Sequence, residues 1–263
     1  MLKRVAPIQF DRIATSGRTK PLFITCEFSD GMPLEVVAKF SANCLEANFS
    51  LAKEAIGACL ARDLGLPAPE PYLVDVSSQW IDALGDPRLR DSLRGSSSVA
   101  FGSRVVSGQF GVWGSGNAIS DIMLPIAAGI FVFDAIIQNP DRRVDNPNCL
   151  VRGDEIRIFD HELAFSQGLV IGWKPPWTLG GLQDMATNGK HIFRAGLKGR
   201  KIDFGPIRAG WASLSDARVA EYESALPPEW ADARAGVAAA TKILKDARNN
   251  IDACLDEVKR VLS

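Results

Sequence analysis

The chain has 263 residues, 46% of them hydrophobic and 23% charged, and its 30 basic and 31 acidic residues leave a net charge of −1. This is the composition of an ordinary globular chain, long enough for one large domain or two lobes, and it excludes the bulk basic field that would favour nucleic acid as a partner. The five cysteines (Cys26, Cys44, Cys59, Cys149 and Cys254) are odd in number, scattered and without a CxxC pair, as expected of free buried thiols in a reducing, cytoplasmic compartment.

The opening MLKRVAPIQFDR has no long apolar run, so no secretory signal is expected. IQFDRI, LFITCEF and PLEVVAKF then predict a three-stranded meander. Its turns are ATSGRTKP and the Ser29-Asp30-Gly31 step. Over residues 46–64 the spacing becomes helical: Leu51, Ala55 and Cys59 alternate with Ala52, Ile56, Leu60 and Leu64 in one stripe, and Gly65 and Pro67 stop the helix. PYLVDV and VAFGSRVV predict fourth and fifth strands, separated by an irregular polar insertion at 78–98. SGQFGVWGSGN is a glycine-rich connector and places a lobe boundary near residue 110.

Residues 119–138 predict a buried helix. Its apolar run IMLPIAAGIFVF is only twelve residues long, between Asp121 and Asp134, and a bilayer needs about 20, so no membrane span is expected. Residues 166–190, rich in Gly, Pro and Trp, predict a long ordered loop in which Trp173 to Trp177 pack rather than form a substrate ledge. From about residue 216 the chain is helical, opened at Pro227 and Pro228 and striped by Leu244, Ile251, Leu255, Val258 and Leu262. The fold class expected is α+β: a small antiparallel sheet with one helix over residues 1–110, then a mainly helical half over 111–263.

The stretch NPDRRVDNPNCLVRGDEIRIFDHELAF, residues 139–165, concentrates oxygen-bearing side chains around two short strands, NCLV and IRIF. Folded about the turn Arg152–Glu155, residues whose numbers sum to about 307 face each other. That register puts Asn146 opposite His161 and Asp160 opposite Pro147, bringing Asn146 and Asp160 together at the open end of the hairpin. An amide oxygen and a carboxylate are hard ligands that suit Mg²⁺. Asp141, five residues before Asn146, is placed to accept a proton from an attacking hydroxyl. The D-x-x-x-x-N spacing followed by a hairpin and an Asp is the metal-and-base layout of kinases.

Kinases also need a strand Lys for the phosphates, steadied by a helix Glu. Lys39 in VVAKF is the candidate Lys, and Glu54, or alternatively Glu46, the candidate Glu. The turn holding Ser16, Gly17, Arg18 and Thr19 is a candidate to cradle phosphates with its backbone N–H groups. His161 and His191, with no cysteine cluster near them in sequence, suggest no zinc site.

With those pieces in order, the sequence resembles the HipA-like kinases, distant relatives of phosphatidylinositol 3/4-kinases within the protein-kinase-like fold. VVAKF, ARDLGLPAPEP, QNPDRRVDN, IFDHELAF and ALPPEW carry the resemblance over about residues 10 to 230. The resemblance implies a two-lobed phosphotransferase dependent on ATP and Mg²⁺. It implies Lys39 on the phosphates, Asp141 as base, and Asn146 with Asp160 on the metal. It also implies a protein Ser/Thr acceptor and, as in bacterial toxin kinases, a cognate antitoxin or regulatory partner.

The chain departs from the family in having Arg143 where a His often stands two residues after the base; a cation there still offsets charge on the transferring group. The chain is also shorter than the larger toxins, so their added N-terminal region is expected to be missing. ATP is expected between the two lobes, with Phe101 and Gly102 on the adenine side. Two other readings stay open at this point: a pseudokinase that binds partners, and a kinase whose acceptor is a small molecule or lipid.

Overall fold

The computed structural model describes residues 2–165 and 172–263. Part of the loop expected over 166–190, residues 166–171, therefore lies outside the described residues. The chain mixes sheet and helix and divides into two compact units. One comprises Met1–Cys59, Pro69–Val106 and Glu221–Ala238, and the other Leu60–Ala68, Ser107–Ala220 and Ala239–Ser263.

The first unit is built on a closed barrel of β1 (Lys3–Ile13), β2 (Leu22–Glu27), β3 (Pro33–Lys39), β4 (Pro71–Asp75) and β5 (Val99–Arg104), in the order β1-β2-β3-β5-β4. Alternation drives it: Leu22, Ile24 and Cys26 of β2 and Leu34, Val36 and Ala38 of β3 are buried, while their neighbours are more exposed. A small antiparallel sheet was expected; it is closed into a barrel. Closure comes from β1, which begins at Lys3 rather than at Ile8. Its first residues Lys3–Val5 pair in parallel with Tyr72–Val74 of β4, and the rest pairs with β2. Register shifts between Pro7 and Gln9 and between Phe10 and Arg12 let the strand bend between those partners.

The polar insertion at 78–98 is also more regular than its composition suggests. It holds helices α2 (Ser78–Asp82) and α3 (Pro87–Arg94), following α1 (Ala47–Asp63). Ser77 caps α2 by accepting from the Trp80 N–H, and Asp86 caps α3 ahead of Pro87. Ile81, Leu84, Leu89 and Leu93 join the barrel core beside Tyr72, Val74 and Ala100. Four apolar residues among charges suffice because each contributes about 1.5–3 kcal/mol when buried.

The second unit is organised around α4 (Leu124–Ile137), in which every residue from Ala127 to Ile137 is buried. Asp134 is the one charged residue in that helix. Among the described residues no helix is long and apolar enough to cross a membrane. The connector after residue 107 contributes a short strand, β6 (Gly111–Val112), to a three-stranded sheet with β7 (Cys149–Arg152) and β8 (Glu155–Ile158). The β7–β8 ladder has the expected register, Cys149 opposite Ile158 through Arg152 opposite Glu155, with Gly153 in the left-handed turn position. The later helices are α5 (Arg194–Leu197), α6 (Gly205–Ser213), α7 (Asp216–Ser224), α8 (Arg234–Asn249) and α9 (Ile251–Leu262). Leu244, Ile251, Leu255, Val258 and Leu262 are buried, as their spacing predicts.

Candidate active site

In the first unit, β3 ends on Lys39, which is buried and pairs with the buried Glu54 of α1. A Lys beside the alternating core of β3 is stable there because a carboxylate neutralises it. Glu46, the alternative partner, instead holds Lys53 at 2.5 Å. Phe101 lies opposite Lys39 across the β3–β5 ladder, and Gly102 opposite Ala38. Both are also paired to β4, to Leu73 and Tyr72. The turn between β1 and β2 is closed by Ala14 N–H donating to Pro21 O at 2.8 Å, and Gly17 takes a positive φ of 99° that favours glycine. Ser16, Gly17 and Arg18 are exposed, and Thr19 is buried.

In the second unit the loop leaving α4 brings Asp141 and Asn146 together. The Asn146 amide donates to Asp141 Oδ2 at 2.8 Å. A carboxylate only accepts, so the amide presents its nitrogen there and keeps its oxygen for another partner. Arg143 and Asn146 close a tight turn through reciprocal backbone bonds of 3.0 and 3.1 Å. Asn146 therefore pairs with Arg143 rather than across the hairpin, and the expected facing of Asn146 and His161 does not arise. The ladder ends at Cys149 and Ile158 because both strand exits take left-handed backbone, φ 43° at Asn148 and 65° at Asp160. Arg143 Nη2 lies 3.8 Å from Asp141 Oδ1, and its Nε 3.2 Å from Asp145 Oδ1. His161 packs edge-on against Phe133 at 5.5 Å.

Beneath this loop lies a buried polar network that no sequence motif announced. Asp134, fully buried on α4, accepts from Arg142 Nε at 2.6 Å and from Asn139 Nδ2 at 3.0 Å. Asn139 in turn accepts the Asp141 N–H at 3.1 Å. Arg142 Nη1 donates to the carbonyls of both Asn148 and Phe159, the latter at 3.2 Å. One guanidinium thus ties the loop that carries Asp141 to the strand end that leads into Asp160.

His191 completes the network. Phe193 N–H donates to His191 Nδ1 at 3.1 Å, which leaves the proton on Nε2, 3.1 Å from Asp134 Oδ2. Burial lowers the His191 pKa, only partly offset by Asp134, so the ring is neutral. Burial alone would raise the Asp134 pKa; Arg142 and the His191 hydrogen bond outweigh it and hold the carboxyl well below the usual range. The only advance signal was a single Asp inside an apolar helix, which needs a partner.

Burial also pushes the thiols of Cys26, Cys149 and Cys254 up to about 12. They are inert at neutral pH and supply no nucleophile.

A family model described as HipA-like kinase matches residues 8–172, more than half of the chain. The chain belongs to the HipA-like kinase family. The activity class of this HipA-like kinase is therefore phosphoryl transfer. No curated protein matches the chain. Among solved structures it is similar to a Helicobacter pylori proinflammatory kinase, CtkA, at 9% identity and a TM-score of 0.43, over 94% of this chain and 98% of that one.

Proposed function

We propose that this HipA-like kinase transfers the terminal phosphoryl group of ATP to a protein Ser or Thr hydroxyl, with residues 1–110 as the nucleotide-binding lobe and 111–263 as the catalytic lobe. The reading is carried by the Asp141 carboxylate: one oxygen is held by an Asn amide and the other has an arginine 3.8 Å away, on a loop anchored to a buried ion pair. That is the arrangement expected of a general base that must be oriented before the acceptor arrives.

Each residue has one task in this reading. Lys39, kept in place by Glu54, neutralises phosphate charge, and the turn from Ser16 to Thr19 closes over the phosphates. Phe101 and Gly102 mark the adenine side of β5. For Mg²⁺, Asn146 directs its amide nitrogen to Asp141 and so has its oxygen to offer, and Asp160, whose carboxylate lies within 4.8 Å of that of Glu162, would add a second hard-oxygen ligand of the kind that suits that ion. When bound, Mg²⁺ supplies charge neutralisation on the phosphate oxygens. Asp141 orients the acceptor hydroxyl and takes its proton, and Arg143 offsets the charge that develops on the transferring group.

The test is incorporation of label from γ-labelled ATP by the wild type and Asp141→Asn, with phosphosites in a treated lysate mapped by mass spectrometry. Mg²⁺-dependent label on Ser or Thr in the wild type alone is expected. Equal, background-level label in both overturns the reading.

A further inference from the structure

Asn148 lies outside the D-x-x-x-x-N pattern, and no motif singles it out. Its backbone is left-handed, φ 43°, and its side chain is buried. Its carbonyl accepts from the guanidinium of Arg142, whose own exposure is 0%, and from the Phe159 N–H at 3.2 Å. From that anchored backbone the side-chain amide turns to Asp141. Nδ2 lies 3.1 Å from Asp141 Oδ2 and 3.3 Å from the Asp141 carbonyl oxygen.

Asn146 Nδ2 reaches the same Oδ2 at 2.8 Å, so both amides converge on one oxygen of the carboxylate. Oδ1 receives neither; Arg143 Nη2 lies 3.8 Å from it, beyond hydrogen-bond range. Two donors on one oxygen fix the rotation of the carboxylate, and the side chain of Asp141 keeps 17% exposure. Asp134 therefore governs Asp141 by two routes. Through Asn139 it sets the main chain, and through Arg142 and Asn148 it sets the carboxylate.

We propose that Asn148 is a positioning residue for phosphoryl transfer: by occupying Oδ2 together with Asn146, it holds Asp141 so that Oδ1 takes the proton of the acceptor hydroxyl. The proposal rests on Asp141 being the base, as proposed above. The proton passes from the hydroxyl oxygen to Oδ1 as the oxygen bonds to phosphorus, and the bond from phosphorus to the bridging oxygen of ADP breaks with its electron pair.

The experiment uses the full chain with Asn148→Gly and Asn148→Asp. Glycine adopts the positive φ without strain, so the first variant removes the amide and leaves the backbone alone; the second replaces a donor with a charge that repels Asp141. Steady-state transfer from γ-labelled ATP is expected to show kcat reduced about 10- to 100-fold in Asn148→Gly, more in Asn148→Asp, with KM for ATP within about twofold of wild type. A purely structural role would lower the melting temperature and leave kcat of the folded protein unchanged.

A crystal structure of Asn148→Gly is expected to show the Asp141 carboxylate rotated. Wild-type kcat in the glycine variant, or an unmoved carboxylate, overturns the proposal. If the wild type labels no better than Asp141→Asn, the base assignment itself has failed, and the carboxylate orientation alone then decides whether Asn148 sets it.

Discussion

Asp134 and Arg142 form an ion pair with no solvent exposure on either side chain, Arg142 Nε 2.6 Å from Asp134 Oδ2. Such a pair loses two hydration shells, so its net contribution to stability is small while the cost of breaking it is large. What it provides here is a fixed point: Asn139, which accepts the Asp141 N–H, is bonded to Asp134, and Asn148, which donates to the Asp141 carboxylate, is bonded to Arg142.

Asp134→Asn leaves Arg142 charged and buried without its carboxylate, and a loss of about 3–5 kcal/mol is expected by urea or thermal unfolding. The double variant Asp134→Leu/Arg142→Met removes both charges and is expected to recover much of that stability, since an apolar pair of similar volume is tolerated where half an ion pair is not. Phosphoryl transfer is expected to stay lost in the double variant, because the Asn148 carbonyl then loses its guanidinium donor and keeps only the Phe159 N–H. A double variant that regains full turnover would show that the pair matters only for folding.

His191 predicts a pH dependence of stability. Its pKa is lowered in the folded protein by burial, against about 6.5 in the unfolded chain. As pH falls through about 6.5 the unfolded chain takes up the proton first, so stability is expected to decline from there and to level off below the folded-state value. Asp134 acts in the same direction at lower pH: its carboxyl is depressed in the fold, so its contribution is present above about pH 3.9 and is lost as pH drops toward the folded-state value. His191→Gln, measured by chemical denaturation between pH 7.5 and 5, should lose the upper part of this slope. An unchanged slope in that variant would assign the effect to other groups.

Local periodicity and turn chemistry made several parts of the molecule legible. The β7–β8 register follows from the turn at Arg152–Glu155, and the observed pairs sum to the predicted 307. The proximity of Lys39 and Glu54, and of Asp141 and Asn146, was likewise readable from a strand, a helix and a loop of fixed spacing. What was not legible depends on tertiary partners. Lys3–Val5 has no alternation strong enough to announce the parallel pairing with β4 that closes the barrel. In α2 and α3 the charged composition concealed the few apolar residues that do the packing. Asn148, Arg142 and His191 resemble ordinary loop residues until α4 brings Asp134 beneath them.

The Lys39–Glu54 pair predicts a separation of binding from folding. Under the proposed function, Lys39→Met is expected to lower transfer by about 10²–10³-fold, the scale for deleting one preorganised charge contact, and to weaken Mg²⁺·ATP binding by calorimetry. The same variant deprives buried Glu54 of its Lys39 counter-charge and should cost stability. Adding Glu54→Gln should restore part of the stability and none of the activity. Recovery of ATP turnover in that double variant would exclude Lys39 from the phosphate site.

Gly102 offers a prediction that depends on packing alone. A Cβ built there would lie 2.6 Å from Val36 Cγ1 and 2.7 Å from Val74 Cγ2, inside the barrel core where both valines are fully buried. Gly102→Ala should therefore cost about 1–3 kcal/mol through overpacking, despite the ordinary preference of strands for residues other than glycine. Combining it with Val36→Ala opens the space that the new methyl group needs. The two substitutions share one contact, so their effects should be non-additive, with the double variant more stable than the sum of the singles implies. Simple additivity in urea denaturation would mean that the strand moves aside, and that the barrel is less tightly closed at β5 than the packing of Val36 and Val74 requires.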